Sequence, residues 1–214
     1  MSLVLVKDLR DKTGAGLLDC QKAVKEAEGD GERALRILRE KGLAKAANKA
    51  SRAATDGIVG SYIHPGSKIG VLVEVNCETD FVAMTEEFQR LVRDVAMQIA
   101  ATAPRCVRRE EIDPAEIEAE QAIYRAQAEK AGKPAKIIDR IVAGQLERYY
   151  QDVCLLEQAF VKQSDRTVGD ILKEAIVRFG VNVEVRRFAR FQLGETASSP
   201  GNQKEQDAGG DAGS

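Results

Sequence analysis

The residues of this sequence that could carry out covalent chemistry are few. The only histidine, His64, stands in the turn-like string "HPGSK", and the four cysteines are Cys20, Cys77, Cys106 and Cys154, with no CxxC pair among them. A metal site or a Cys–His nucleophile would have to be built around one imidazole. The spacing favours buried free thiols and an exposed turn histidine over metal ligands or a catalytic base. Because the chain also lacks a glycine-rich phosphate loop and a nucleophile elbow, the sequence predicts no catalytic residue, no metal and no cofactor.

One short segment is better suited to binding another molecule than to chemistry. The string "VLVEVNCETDFV", residues 71–82, begins as a strand and ends with Asp80 beside Phe81. A simple turn could have used Gly, Asn or Ser without placing an aromatic ring near water. Two interpretations follow: the ring of Phe81 serves a partner, or it packs as a hydrophobic staple or core residue at the start of a helix from Thr85. The local pattern alone favours the second.

Composition limits the possible partners. The chain has 214 residues, of which 43% are hydrophobic, 5% aromatic and 31% charged, and these values are typical of a soluble, helix-rich globular protein. Its 32 basic and 34 acidic residues give a formal charge of −2, which is a poor match for a protein that neutralises many phosphates. The apolar run at residues 3–6 is too short for a signal peptide or a membrane span. We therefore predict a cytoplasmic protein that binds neither nucleic acid nor membrane directly.

The first element needed to position these residues is a small helical module at residues 1–43. Three helical patterns follow one another there, and the third is capped by Asp30 and should end at Gly42. The basic, alanine-rich residues 44–56 come next and indicate a linker or a marginal helix.

An α+β core is predicted at residues 57–194. Two strands rich in β-branched residues flank the "HPGS" turn as an antiparallel hairpin, and a helix that stops before Pro104 should lie on the resulting sheet. The string "DPAE" then starts an antiparallel helical hairpin at about 114–151, with Glu116 reaching back to the cap. A last capped helix and a long strand complete this core. Residues 195–214, rich in Gly, Ser, Asp and Gln, have nothing to bury and are predicted to be disordered.

Four strings in this chain are similar to those of a known family. They are "LRDKTGAGLLDCQKAV" in the first module, "EVNCETDFVA" after the strand, "GKPAKIIDRIVAGQLERYYQDVCLLEQ" at the helix pair and "VEVRRFARFQLGE" at the end. In this order and spacing the chain resembles elongation factor Ts from about Val4 to Glu195. The resemblance implies a translation factor that binds elongation factor Tu and catalyses exchange of its GDP for GTP. It also implies that the three-helix module is a ubiquitin-associated-like domain.

The resemblance assigns a role to the segment after the strand. In the family, the matching segment enters the nucleotide domain of the partner and displaces elements that hold magnesium and phosphate. This role falls on Thr79, Asp80, Phe81 and Val82. Phe81 would be the wedge, and Asp80 would orient the loop or repel the phosphate side. No covalent step is required.

The resemblance also identifies positions on the first module that grip a helix of the partner's nucleotide domain. They are Lys7, Arg10, Leu17 and Leu18. In the helical pattern Leu17 falls on the same face as Cys20, and the local pattern alone suits a core position and an interface position for the two leucines about equally. Two adjacent leucines cannot face one core equally, however, so one of them should be partly exposed.

Longer family members carry two related sheet subdomains, whereas this chain has residues for only one. A homodimer is therefore implied, because a second copy could supply the missing surface. Two other classes of function remain open. A generic adaptor would bind another protein through the first module without any effect on nucleotide release. An RNA-binding role would need a cluster of basic side chains on one face, and the candidates are Lys45, Lys49, Arg52, Arg186, Arg187 and Arg190.

Overall fold

A computed structural model describes residues 3–195 and has an α+β fold. Within that range the helices are α1 (Leu3–Thr13), α2 (Leu17–Glu26), α3 (Gly31–Ala50), α4 (Asp80–Ala83), α5 (Glu86–Thr102), α6 (Pro114–Lys130), α7 (Ala135–Val153) and α8 (Val168–Phe179). The strands are β1 (Asp56–Ile63), β2 (Ile69–Cys77), β3 (Ala159–Phe160), β4 (Gln163–Thr167) and β5 (Val183–Gln192). The predicted helices and strands occur in the predicted order, whereas α4 and the antiparallel pair of β3 and β4 were not predicted.

The first three helices enclose a small core of their own. Val6 and Leu9 of α1 meet Cys20 and Val24 of α2 there, and all four side chains are buried. The predicted cap of the third helix is confirmed, since the Asp30 carboxylate accepts hydrogen bonds from the backbone N–H groups of the first turn at 2.9 and 3.0 Å.

The prediction that α3 ends at Gly42 is wrong. The helix continues to Ala50, so the first seven residues of the predicted linker are helical. Gly42 lies against Val177 of α8, where an added Cβ would come within 3.4 Å of the valine side chain. One turn later, Ala46 is buried in the core of the sheet domain. Packing of α3 on α8 therefore outweighs the roughly 1 kcal/mol that a helical glycine costs.

A three-stranded antiparallel sheet of order β1-β2-β5 carries the main core. Alternate residues of the central strand, Val71, Val73 and Val75, are buried and point toward α5 and α8. The register of β2 against β5 shifts between Glu74 and Val75, as expected of a β-bulge. The hydrophobic side chains of one sheet face thus pack under two helices, and the other face is left uncovered.

The two helices on the sheet begin and end as their sequence signals indicate. Thr85 caps α5, since its hydroxyl accepts a hydrogen bond from the N–H of Phe88 at 3.2 Å. Thr167 and Asp170 form a reciprocal capping box at the start of α8. Gly180 ends that helix with a φ of +74°, a conformation that favours glycine.

Helices α6 and α7 form the predicted hairpin, with Ile138, Val142 and Leu146 buried between them. Asp113 caps α6 as predicted. The prediction that Glu116 completes this cap is wrong. Its carboxylate instead pairs with the Arg105 guanidinium, whose second nitrogen lies 3.0 Å away, and it accepts a further hydrogen bond from the Tyr149 hydroxyl.

The base of the hairpin is fastened to the core by Arg109. Its guanidinium contacts the carboxylates of Glu157 and Glu147, the latter at 2.7 and 2.9 Å, and lies 4.2 Å from the ring centroid of Tyr150. Hydrogen bonds to Glu157 and then Glu147 raise the pKa of Arg109. These contacts stabilise the position of the hairpin relative to the sheet.

The division of the chain into domains at 1–43, 44–56 and 57–194 stays a prediction. Of the tail predicted to be disordered, residues 196–214 lie outside the described range. Among the described helices, none is both long enough and apolar enough to cross a membrane.

Candidate partner-binding site

The segment Thr79–Val82 lies at the end of the central strand, where the chain leaves the sheet. β2 ends at the buried Cys77, and a single helical turn, α4, follows at once. Ala83 is buried under this turn, and Val82 packs against the sheet core. One side of the turn is therefore held by the core, and the other side is free to meet a partner.

The free side carries Phe81. This residue is 81% exposed, so the interpretation of Phe81 as a core residue or staple is wrong. Val82 takes the inward position instead, since it follows Phe81 by one residue on a helical turn. The Asp80 carboxylate is also exposed and accepts a hydrogen bond from the N–H of Phe81 at 2.8 Å. Asp80 thus fixes the backbone from which the ring projects.

Met84 is a candidate site residue that was not predicted from the sequence. It is 71% exposed and follows Phe81 by three residues, so both side chains lie on the same side of the turn. Its N–H donates to the Asp80 carbonyl at 3.0 Å, which continues the helical turn to Met84. The signal that could have found it is this spacing of three between two large apolar residues. Phe81 and Met84 together form an apolar tip.

The base of the segment is anchored to two other parts of the molecule. The Cys77 thiol donates to the Thr79 carbonyl at 3.1 Å, and burial raises the pKa of this thiol. Glu78 accepts a hydrogen bond from the backbone N–H of Asn182 at 2.5 Å and pairs with Arg52 at 3.6 Å. These contacts join the end of β2 to the start of β5 and to the residues after α3, so the apolar tip stands on a rigid base.

The four predicted residues of the first module are all exposed. Lys7 and Arg10 lie one turn apart on α1, and Leu17 and Leu18 begin α2. Leu18 is 70% exposed and Leu17 is 49% exposed. The expectation that one leucine is partly exposed holds for both. The pattern that placed Leu17 on the core face with Cys20 is wrong, because Leu17 is the first residue of the helix and lies at the edge of the module's core.

His64, Cys20 and Cys77 lie in three separate parts of the structure. His64 is exposed, and its Nδ1 lies 3.1 Å from the Tyr62 hydroxyl. Cys20 and Cys77 are buried in separate cores. Within residues 3–195, no group of three or more His, Cys, Asp or Glu side chains could hold a metal ion.

The uncovered face of the sheet is largely apolar. Ile63 of β1 and Phe191 of β5 flank Gly70 of β2 in one cross-strand row, and Leu72 stands in the next row. These three large side chains and Val59 are exposed. At one end of the face Glu74 pairs with Arg187 at 2.7 Å. We call this surface, made by Val59, Ile63, Leu72 and Phe191, the open sheet face.

Several basic residues considered for RNA binding are already paired. Lys49 donates to the Gly180 carbonyl, and Arg52 contacts Glu78. Arg187 pairs with Glu74, and Arg190 pairs with Glu195 at 3.1 Å. The side chain of Lys45 lies outside the description. In the three arginine pairs the carboxylate offsets the positive charge that phosphate binding would need.

Comparison with known proteins gives a consistent result. A family model described as "Elongation factor TS" matches residues 17–195. The chain is 60% identical over 190 residues to "Elongation factor Ts" from Geotalea daltonii, an alignment that covers 89% of this chain and 88% of that protein. It is 56% identical over 191 residues to "Elongation factor Ts" from Carboxydothermus hydrogenoformans, with coverage of 89% and 88%. It is 54% identical over 207 residues to "Elongation factor Ts" from Desulforamulus reducens, with coverage of 97% and 93%.

Proposed function

The chain belongs to the elongation factor Ts family, and we propose that it is the guanine-nucleotide exchange factor of elongation factor Tu. It binds the partner and accelerates release of GDP, so that GTP can replace it. The observation that carries this proposal is the apolar tip: a phenylalanine that is 81% exposed, on a turn whose other side is held by the core. A large aromatic side chain so exposed in the free chain is typical of a contact residue.

Binding of the segment Thr79–Val82 is sufficient to explain how the chain accelerates GDP release from its partner. Phe81 inserts into the partner's nucleotide domain, Thr79, Asp80 and Val82 support it, and contacts to magnesium and phosphate are displaced. Burial of the ring contributes roughly 1.5 to 3 kcal/mol. Because this contribution is available only when the partner has opened its nucleotide site, the factor binds the open state more tightly. By reciprocity, the bound factor weakens nucleotide binding by the same ratio. The mechanism has no covalent step.

The first module provides the second contact. Leu17 and Leu18 supply exposed apolar area at the start of α2, and Lys7 and Arg10 supply positive charge on α1. This combination of apolar anchors with a charged rim is typical of a protein–protein interface. The module holds the partner while the apolar tip acts on the nucleotide site. Translation places both proteins in the cytoplasm.

A homodimer completes the proposal. Residues 3–195 contain a single three-stranded sheet, and the open sheet face exposes four large apolar side chains, among them Leu72 and Phe191. A second copy of the same sheet is complementary to this face, since two antiparallel sheets can pack face to face with interdigitated side chains. The paired copies would then supply the surface that a second sheet subdomain provides in longer family members.

The proposal is tested by a GDP-release assay on purified elongation factor Tu loaded with a fluorescent GDP analogue. We expect the chain to accelerate release at substoichiometric concentration. Binding without acceleration would contradict exchange activity and favour the adaptor. Binding that falls steeply with salt and needs RNA would favour the RNA-binding alternative.

The dimer is tested by light scattering. The chain should run near twice its 23.3 kDa at micromolar concentration. Phe191→Asp places a charge on the open sheet face and should give the monomer mass. Ile123→Asp is the matched control, because Ile123 is also exposed but lies on the helical hairpin. A monomeric wild-type chain with full exchange activity would contradict the homodimer.

A further inference from the structure

Two cysteines that are far apart in the sequence lie side by side in the structure. The Sγ atoms of Cys106 and Cys154 are 3.6 Å apart. Cys106 lies in the connection between α5 and α6, and Cys154 directly follows α7. Neither residue belongs to the partner-binding site, and both thiols are free.

The backbone holds the two thiols in this position. Residues 105–107 and 153–156 run side by side as a short parallel bridge in which Cys106 and Cys154 are partners. The N–H of Leu155 donates to the Cys106 carbonyl at 3.0 Å, and the N–H of Cys106 donates to the Val153 carbonyl at 3.3 Å. Bridged backbones of this kind lie about 4.7 to 4.9 Å apart. This spacing is within the roughly 4.4 to 6.8 Å between Cα atoms that a disulfide requires.

The two thiols differ in accessibility. Cys106 is half-buried, whereas Cys154 is completely buried. A small oxidant can therefore reach Cys106 first, and the Cys154 sulfur lies 3.6 Å from the sulfur that it would then attack. This is the arrangement of an attacking thiol with a resolving thiol. The other two cysteines, Cys20 and Cys77, lie in different cores and serve as internal references.

We propose that Cys106 and Cys154 form an oxidation site that closes an intramolecular disulfide across the base of the helical hairpin. With a small disulfide such as glutathione disulfide as the oxidant, the Cys106 sulfur attacks one sulfur of the reagent, and the first glutathione leaves as a thiol. The Cys154 sulfur then attacks Cys106 Sγ and displaces the second glutathione. One protein disulfide forms, one small disulfide is reduced, and the two thiol protons end on the two released glutathiones.

The cross-link would restrict the hairpin. Residues 107–153, which include all of α6 and α7, lie between the two cysteines. In the reduced chain the ion pairs of Arg105 and Arg109 hold this base, and a disulfide would add a covalent closure at the same place. A loop of this length gains substantially from closure, and we expect the melting temperature to rise by roughly 5 to 15 °C.

The experiment treats the purified full chain with excess glutathione disulfide, blocks the remaining thiols and maps tryptic peptides. Burial raises the pKa of both thiols, that of Cys154 to about 12, so the incubation must be long. We expect the peptide of residues 106–108 to be joined to that of residues 149–162, with Cys20 and Cys77 still reduced. The higher melting temperature should return to its starting value after treatment with dithiothreitol.

Cys106→Ser is the test variant, because a half-buried position tolerates this change better than the buried Cys154. It should form no intramolecular disulfide and show no rise in melting temperature after oxidation. A rise that persists in this variant would overturn the proposal. So would a wild-type chain in which Cys106 carries glutathione but Cys154 never displaces it, or one in which Cys20 and Cys77 oxidise as readily as the pair.

Discussion

Replacing Phe81 by Ala should slow GDP release without weakening the fold. The residue is 81% exposed in the free chain, so about four-fifths of its apolar area remains to be removed from water by the partner. Full burial of a Phe side chain contributes roughly 1.5 to 3 kcal/mol, and four-fifths of that is about 1.2 to 2.4 kcal/mol. At about 1.36 kcal/mol per factor of ten, the release rate at a fixed factor concentration should fall about 8- to 60-fold.

The assay measures GDP release and thermal unfolding on one preparation. Because Phe81 makes no core contact, the free energy of unfolding should change by no more than about 0.5 kcal/mol. Phe88→Ala is the matched control, since Phe88 is completely buried seven residues later and packs against Phe179 with ring centroids 5.9 Å apart. That variant should lose about 3 to 5 kcal/mol of stability. The molecules that remain folded should exchange GDP at a normal rate.

A second variant separates the ring from its support. Asp80→Asn keeps an oxygen that can accept the hydrogen bond from the N–H of Phe81, so it should slow release less than Phe81→Ala. The reasoning is refuted if Phe81→Ala is folded and releases GDP at the wild-type rate. It is equally refuted if Phe81→Ala melts early and its folded fraction exchanges normally, because the ring would then be structural.

Three further changes test other parts of the site and fold. Replacing Leu17 and Leu18 together by Ala should weaken partner binding by roughly 1 to 3 kcal/mol in titration calorimetry. The melting temperature should not change, since both side chains are exposed. A lower melting temperature would show that the two leucines stabilise the module. Met84→Ala should slow GDP release, but less than Phe81→Ala, and a normal rate would limit the apolar tip to Phe81. The Arg105 guanidinium lowers the pKa of Glu116, so this ion pair stabilises the fold above the unfolded-state pKa and is lost as the pH falls through the folded-state pKa. Glu116→Gln should therefore lower the melting temperature at neutral pH, and the wild-type chain and the variant should melt at the same temperature in acid. A difference in melting temperature that persists in acid would exclude the ion pair as its cause.

Local signals in the sequence were sufficient for most element boundaries. The side chains of Asp30, Thr85 and Asp113 accept hydrogen bonds from backbone N–H groups within three residues. Gly180 ends its helix because glycine readily adopts the left-handed conformation. Each of these signals is therefore independent of the rest of the fold. The Gly42 signal failed because its outcome depends on Val177, a residue of a different helix. Tertiary packing decided that boundary, and no local pattern contains it.

In the candidate site, too, features set by local sequence were predicted better than features set by tertiary packing. The resemblance assigns a role to residues 79–82, but the outward orientation of Phe81 was not predicted, because the local pattern alone favours an inward ring. Met84 was missed for a related reason: its exposure depends on how α4 sits on the sheet. The pairing of Cys106 with Cys154 depends on two segments 48 residues apart that meet only in the folded chain. A search for CxxC spacing has no means of finding such a pair.

The continuation of α3 to Ala50 bears on the proposed exchange mechanism. The side chain of Asn182 donates to the Ala50 and Arg52 carbonyls at 3.3 and 2.7 Å, and its backbone N–H donates to Glu78, the residue before Thr79. Helix α3 thus runs without a break from the first module to Ala50, and Asn182 links the end of this helix to Glu78 at the base of the segment Thr79–Val82. A flexible linker would let the module bind while the apolar tip stayed outside the partner. Binding of the module would then not weaken the partner's affinity for nucleotide. Under the proposed mechanism, a rigid connection would keep the module from reaching its best position on the partner unless the tip entered as well. Binding free energy gained at the first module would then be available to displace the contacts that hold GDP.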